Sequence, residues 1–203
     1  DCPRSREKDP DELGTVIDRA VEATRPLIDS RAHDLEVRLP TDPIHLDADP
    51  TRLEQILANL LDNAARYTMP GGRIRVTAAL AEGEAVVRVR DNGIGVPPDV
   101  LERVFEPFVQ SEGSLARSEG GLGIGLTLVR SLVEMHGGRV EAHSPGLGQG
   151  SELTVWLPAR LSAAKTASLP EPEAPFASRS RGVRVLVAVD NMEAAEGLAA
   201  PLR

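Results

Sequence analysis

Apolar positions recur along this chain with two different periods. Over residues 13–32, Leu13, Val16, Ile17, Ala20, Val21 and Ala23 fall at helical spacing. Pro26 lies inside that pattern, where a proline kinks or restarts a helix. HDLEVRLP then alternates, with Leu35, Val37 and Leu39 on one face, and predicts a strand. A second short strand is predicted from Ile44 to Leu46. The helical period returns in DADPTRLEQILANLLDNAARYT, where Leu53, Ile56, Leu57, Leu60, Leu61 and Ala64 form one stripe. Asp49 suits the N-cap of this helix and Pro50 its first position; MPGG ends it. Two strands follow, Ile74–Leu80 and Ala85–Arg90, joined around Gly83. Beyond the loop DNGIGVPPDV the pattern predicts a short helix over Val100–Val104 and a polar, glycine-rich stretch over 109–125. A helix from Leu126 to His136, stopped by Gly137-Gly138, precedes strands Arg139–Ala142 and Glu152–Leu157. Helices and strands mix without regular alternation, which predicts an α/β sandwich rather than a doubly wound parallel sheet.

Composition changes along the chain. Residues 159–182 turn to Ala, Pro, Ser and Glu and read as a linker; VRVLVAVDN then begins a new apolar strand. The 203 residues suit one real domain plus a tail, or two small domains. They include 41% hydrophobic but only 2% aromatic residues, so the core is aliphatic. A net charge of −8 does not favour nucleic acid or an anionic membrane. The single cysteine, Cys2, excludes a disulfide framework and four-thiolate zinc sites. No apolar run reaches the roughly 20 residues of a membrane span, and the default expectation is a cytoplasmic fragment of a longer protein.

Three stretches carry candidate chemistry. In NLLDNAARYT, about 100° per residue places Asn59, Asn63, Arg66 and Tyr67 on one arc beside the apolar stripe. An amide oxygen suits Mg²⁺, an arginine suits phosphate oxygens, and a tyrosine ring packs on a base or sugar. In RDNGIG, Asp91 can accept a hydrogen bond from an exocyclic amine, and Gly93 and Gly95 permit close backbone approach. Alone, Asp-Asn-Gly is also an ordinary turn. In GGLGIGL, Gly121, Gly123 and Gly125 run into a helix whose free N–H groups attract phosphate. The spacing is neither that of a P-loop nor that of a Rossmann fingerprint.

Together and in this order, the motifs resemble the ATP-binding catalytic domain of sensor histidine kinases, in the GHKL ATPase superfamily. NLLDNAARYT is similar to the N box, DNGIG to the G1 box, FEPF (105–108) to the F box and GGLGIGL to the G2 box; GQGSELTVWLP resembles the last box and closing strand. The resemblance covers roughly residues 11–158, preceded by an upstream linker over 1–10. It implies a two-layer α/β sandwich of the Bergerat type, a mixed sheet with helices on one face. It implies ATP and Mg²⁺: Asp91 on the adenine amine, Asn63 on the metal with Asn59 beside it, Arg66 on phosphate and Tyr67 bordering base or ribose. Gly121, Leu122, Gly123, Ile124, Gly125 and Leu126 would form the phosphate-binding turn, and residues 109–122 a lid whose Arg117 reaches the γ-phosphate. The two F-box phenylalanines would anchor the lid's start, a role that overlaps with simple core packing.

One position bears on mechanism. In other superfamily branches a glutamate four residues before the Mg²⁺ asparagine activates water; here Asn59 stands there, and an amide is no general base. The resemblance therefore implies transfer to a histidine on a separate dimerising helical domain. HDL at His33 resembles the start of the acceptor motif, but EVRLP follows in place of Arg-Thr-Pro, so the acceptor is expected upstream, in a full-length homodimer. Residues 183–203 resemble the truncated start of a receiver domain, as in hybrid kinases, with Val189 where an acidic pair is usual before Asp190. Two alternatives remain: an autonomous GHKL ATPase, and a degenerate module that acts by interaction.

Overall fold

The chain divides into two units, residues 1–171 and 172–203. The computed structural model describes residues 12–109 and 123–160, all within the first unit. The expected upstream linker, residues 161–182 of the second linker, the receiver start and the stretch around Gly121 and Leu122 lie outside the described residues.

Among the described residues nine elements follow in order: α1 (Leu13–Ser30), β1 (Asp34–Arg38), α2 (Pro50–Tyr67), β2 (Arg73–Ala81), β3 (Glu84–Asp91), α3 (Pro98–Leu101), α4 (Gly125–Met135), β4 (Arg139–His143) and β5 (Glu152–Pro158). The five strands form one sheet in the order β1-β2-β3-β5-β4. β1 runs parallel to β2 and every other pair is antiparallel, so the sheet is mixed as expected. β2 and β3 join through Glu82 and Gly83, with φ of 51° and 84°. Positive φ at both central residues matches the right-handed twist of a two-residue hairpin.

The period of two decides what the sheet buries. Ile74, Val76 and Ala78 of β2, Ala85, Val87 and Val89 of β3, and Leu153, Val155 and Leu157 of β5 share a core with the helices. The alternate positions carry Arg75, Arg88, Arg90 and Trp156 on the opposite face. α2 lies at the centre of the helical layer, packed against both α1 and α4. Its predicted stripe, Leu53, Ile56, Leu57, Leu60, Leu61 and Ala64, is buried throughout. Full burial of each such leucine or isoleucine contributes about 1.5–3 kcal/mol. The Asp49 side chain caps α2, accepting from the N–H groups of Thr51 (2.8 Å) and Arg52 (3.3 Å).

Several local expectations are corrected. α1 runs unbroken through Pro26, because both Pro26 and Glu22, whose carbonyl loses its partner, face solvent. Ala23 is exposed, and Thr24 and Ile28 complete the buried stripe instead. Residues 44–46 form no strand: His45 bridges to Glu12 and Leu46 to Ala159, so no ladder with one partner can grow. On edge strand β1, Leu35 packs on the core while Val37 is 37% exposed, as is Leu39 (41%) just beyond it. α3 covers Pro98–Leu101 rather than Val100–Val104. α4 starts one residue early, and His136 is its C-cap. Order extends past Pro158, where the Arg160 N–H donates to the His45 carbonyl at 2.9 Å.

Candidate functional site

One cleft gathers most of the predicted residues. Asn59, Asn63, Arg66 and Tyr67 line it from α2, Asp91 from the end of β3, Gly95 from the following loop, and Gly123, Gly125 and Leu126 from the start of α4. Ile94, Val96, Val100, Val104 and Val109 add apolar walls. A planar heteroaromatic base fits such a cleft: apolar faces around a few convergent polar groups.

Asp91 occupies its place because of strand parity. Ala85, Val87 and Val89 face the core at alternate positions, and the next inward position in β3 is Asp91, 4% exposed. A lone buried carboxylate is costly. Two donors offset that cost: the Gly93 N–H at 2.7 Å on Oδ1 and the Ser151 hydroxyl at 2.6 Å on Oδ2. Burial pushes the Asp91 carboxyl above the ordinary aspartate range, and the bonds from Ser151 and Gly93 pull against that rise.

The glycines around Asp91 are shaped by the backbones they meet. A Cβ on Gly93 would lie 2.2 Å from the Tyr67 carbonyl oxygen, and one on Gly95, at φ +69°, would lie 2.0 Å from that of Gly146. Gly93 therefore supports the site through its N–H and its packing on α2, while Gly95 lines the cleft itself. Gly150, at φ +75°, would place a Cβ 2.1 Å from the Asp91 carbonyl oxygen.

On α2 the two asparagines differ. The Asn59 amide nitrogen donates to the Gln55 carbonyl at 2.7 Å, which turns Oδ1 toward α4; a Cβ on Gly125 would lie 3.1 Å from it. The Asn63 side chain takes no protein hydrogen-bond partner among the described residues, so its amide is available to the cleft. Arg66 Nε donates to Asp62 Oδ2 at 2.6 Å, one helical turn earlier.

Magnesium fits this donor set only as a guest of its substrate. The described residues hold no group of three His, Cys, Asp or Glu placed for a metal. One free amide oxygen, supplemented by phosphate and water, is a donor set Mg²⁺ accepts.

Some predicted positions fall outside the cleft. Ile124 is 44% exposed and does not line it. Gly121, Leu122 and Arg117 lie outside the described residues, as does the span 110–122. Of the F-box pair, Phe105 packs on the core, but Phe108 is 74% exposed with φ +62°, so core packing is no account of it. Its N–H donates to the Gly123 carbonyl at 3.2 Å, tying together the two ends from which residues 109–122 depart. His33 is buried, with Nε2 2.9 Å from the Ala65 carbonyl, so its ring serves the helix packing.

Two residues escaped sequence reasoning. Ser151 sits beside Asp91 because β5 pairs with β3 up to Glu152–Arg90, and the Asp91 N–H also donates to its carbonyl at 2.9 Å. The Gly-Ser step before β5 carried that signal, but only strand pairing locates it. Asp62 lines the cleft and holds Arg66, yet it lay unremarked inside the quoted motif.

Comparisons with known proteins agree with this fold. Residues 48–161 match the family model described as histidine kinase-, DNA gyrase B-, and HSP90-like ATPase. The chain is 44% identical over 111 residues to the circadian input-output histidine kinase CikA of Synechococcus elongatus, covering 55% of this chain and 15% of the relative. It is 38% identical over 143 residues to the autoinducer 2 sensor kinase/phosphatase LuxQ of Vibrio parahaemolyticus, covering 67% and 16%. The matches thus span less than a fifth of these curated relatives. Among solved structures, the mycobacterial sensor histidine kinase MprB superposes with a TM-score of 0.65 at 32% identity, over 73% of this chain and 97% of that one. Full-length ShkA, solved in complex with AMPPNP, superposes with a TM-score of 0.65 at 31% identity, over 75% and 31%. A mixed five-stranded sheet carrying its helices on one face, a cleft built on the N and G1 boxes, and a family match over more than half its length establish that this chain belongs to the histidine kinase-, DNA gyrase B- and HSP90-like ATPase family.

Proposed function

We propose that this chain binds Mg-ATP in the cleft between α2 and the start of α4 and donates the γ-phosphoryl group to a histidine on a separate dimerising domain. The observation that carries the reading is Asp91: a buried carboxylate held at its cleft by Gly93 and Ser151, with acceptor capacity left for an exocyclic amine. Asn63 would hold Mg²⁺, Arg66 would meet phosphate oxygens, and Tyr67 would border the base or ribose. Gly121, Leu122, Gly123, Ile124, Gly125 and Leu126 would form the phosphate turn, with Arg117 reaching the γ-phosphate. When bound, the metal would supply charge neutralisation at the phosphates. Asn59 already spends one amide N–H on the Gln55 carbonyl, and its amide cannot take a proton from water, so the phosphoryl group is kept for a partner's nucleophile.

The named histidine kinases among its relatives support a place in two-component signalling. In the wider proposal, residues 159–182 link this domain to a receiver domain begun at 183–203, as in a hybrid kinase acting as a homodimer. One observation favours a second reading, an autonomous ATPase: Asp62 supplies a carboxylate at the cleft after all. Its bond to Arg66 stabilises the ionised form and weakens it as a base.

The deciding experiment adds Mg-ATP and a helical acceptor domain, then assays acid-labile, base-stable phosphate on histidine. Label on the acceptor, lost with Asn63→Ala, supports the kinase. Steady turnover by the chain alone, lost with Asp62→Asn, supports the ATPase instead. Unchanged nucleotide affinity in both Asp91→Asn and Asn63→Ala removes the site assignment.

A further inference from the structure

The two helices that flank the cleft touch at both ends. Near the cleft, Gly125 at the start of α4 lies against the Asn59 side chain of α2. At the far end, the His136 ring accepts the Asp49 N–H on Nε2 at 3.3 Å, while Nδ1 lies 2.7 Å from the Leu132 carbonyl. A carbonyl only accepts, so Nδ1 carries the proton, and a backbone N–H only donates, so Nε2 is bare. The spacings agree: ten residues from Asp49 to Asn59 and eleven from Gly125 to His136 each span about 15 Å of helix.

This matters because of how α4 is held. Its N-terminus has no side-chain cap, which leaves its first N–H groups available. Its buried stripe, Val129, Leu132 and Val133, opposes separation from α2, but apolar contacts are non-directional and resist sliding along the axis poorly. The His136 bonds are directional and join the α4 C-terminus to the residue that caps α2.

We propose that His136 is a positioning residue for the nucleotide site. In its neutral Nδ1–H form it pins the end of α4 to the start of α2, and so sets the axial position at which Gly125 and its neighbours meet Asn59. The inference rests on the nucleotide reading of the cleft and adds a residue far from it.

The test measures binding of a non-hydrolysable Mg-ATP analogue by calorimetry for wild type, His136→Ala and His136→Gln, with thermal unfolding of each without nucleotide. It also records the imidazole nitrogens of wild type by ¹⁵N NMR. His136→Ala should bind about three- to tenfold more weakly, as expected for a lost neutral hydrogen bond. Glutamine can offer both a donor and an acceptor and should restore affinity to within about twofold of wild type. The NMR spectrum should show protonated Nδ1 and bare Nε2. A folded His136→Ala with wild-type affinity, a His136→Gln that binds weakly, or an Nε2–H tautomer overturns the proposal. Should His136→Ala fail to fold, the tautomer and the His136→Gln affinity decide. The wild type also serves as the control for the nucleotide reading: no binding of the analogue by folded wild type refutes that reading, while the tautomer still reports on the pin itself.

Discussion

Replacing Asp91 by asparagine separates recognition from folding. In the wild type the carboxylate takes the Gly93 N–H and the Ser151 hydroxyl and keeps lone pairs for a ligand amine. Asparagine keeps the shape. Its oxygen can serve Gly93, and Ser151 can rotate to accept from the amide nitrogen. The ligand amine then meets a donor or an already shared oxygen. A hydrogen bond to a charged group contributes about 1.5–3 kcal/mol. At 1.4 kcal/mol per decade, ATP affinity should fall by about ten- to a hundredfold.

Stability should move the other way. Burial raises the folded pKa of Asp91 above its unfolded value, so the fold favours the protonated form. The stability this group contributes is present below the unfolded pKa and is lost as pH rises through the raised folded value. Asp91→Asn should therefore be as stable as wild type, or more so, at neutral pH, and the wild type should gain on it as pH falls. ATP binding by the wild type should weaken over the same fall in pH, because the protonated carboxyl loses acceptor capacity. Calorimetry with ATP and with inosine triphosphate, which carries a carbonyl in place of the amine, checks the assignment. Wild-type protein that binds both equally, or an asparagine variant within twofold of wild type for ATP, would falsify the role given to Asp91.

Two further substitutions probe the phosphate wall and the G1 loop. Asp62→Asn removes a negative charge from the cleft, so Mg-ATP affinity should rise about two- to fivefold at low salt and less at high salt. Titrations at two ionic strengths check it, and a loss of affinity refutes it. Gly95→Ala places a methyl group 2.0 Å from the Gly146 carbonyl oxygen at φ +69°. It should cost on the order of 1–3 kcal/mol of loop strain and at least tenfold in nucleotide affinity. Thermal unfolding and calorimetry together measure this, and unchanged values in both mean that the loop is not held as described.

The buried stripe of α2, its Asp49 cap, the hairpin strands and the four motifs in order were legible along the chain, because period, capping and glycine placement are local properties. It also carried the arc of Asn59, Asn63, Arg66 and Tyr67, since helix geometry alone puts them on one edge. What pairs across the sheet and between helices is a property of the folded chain, because such contacts join residues far apart in sequence. Strand register brings Ser151 to Asp91 across sixty residues, and antiparallel helix packing brings His136 to Asp49 across eighty-seven. The fate of Pro26 and Ala23 likewise turned on which face met solvent rather than on their propensities. Phe105 and Phe108, three residues apart in one motif, have opposite fates, because burial depends on what the rest of the chain places opposite a side chain.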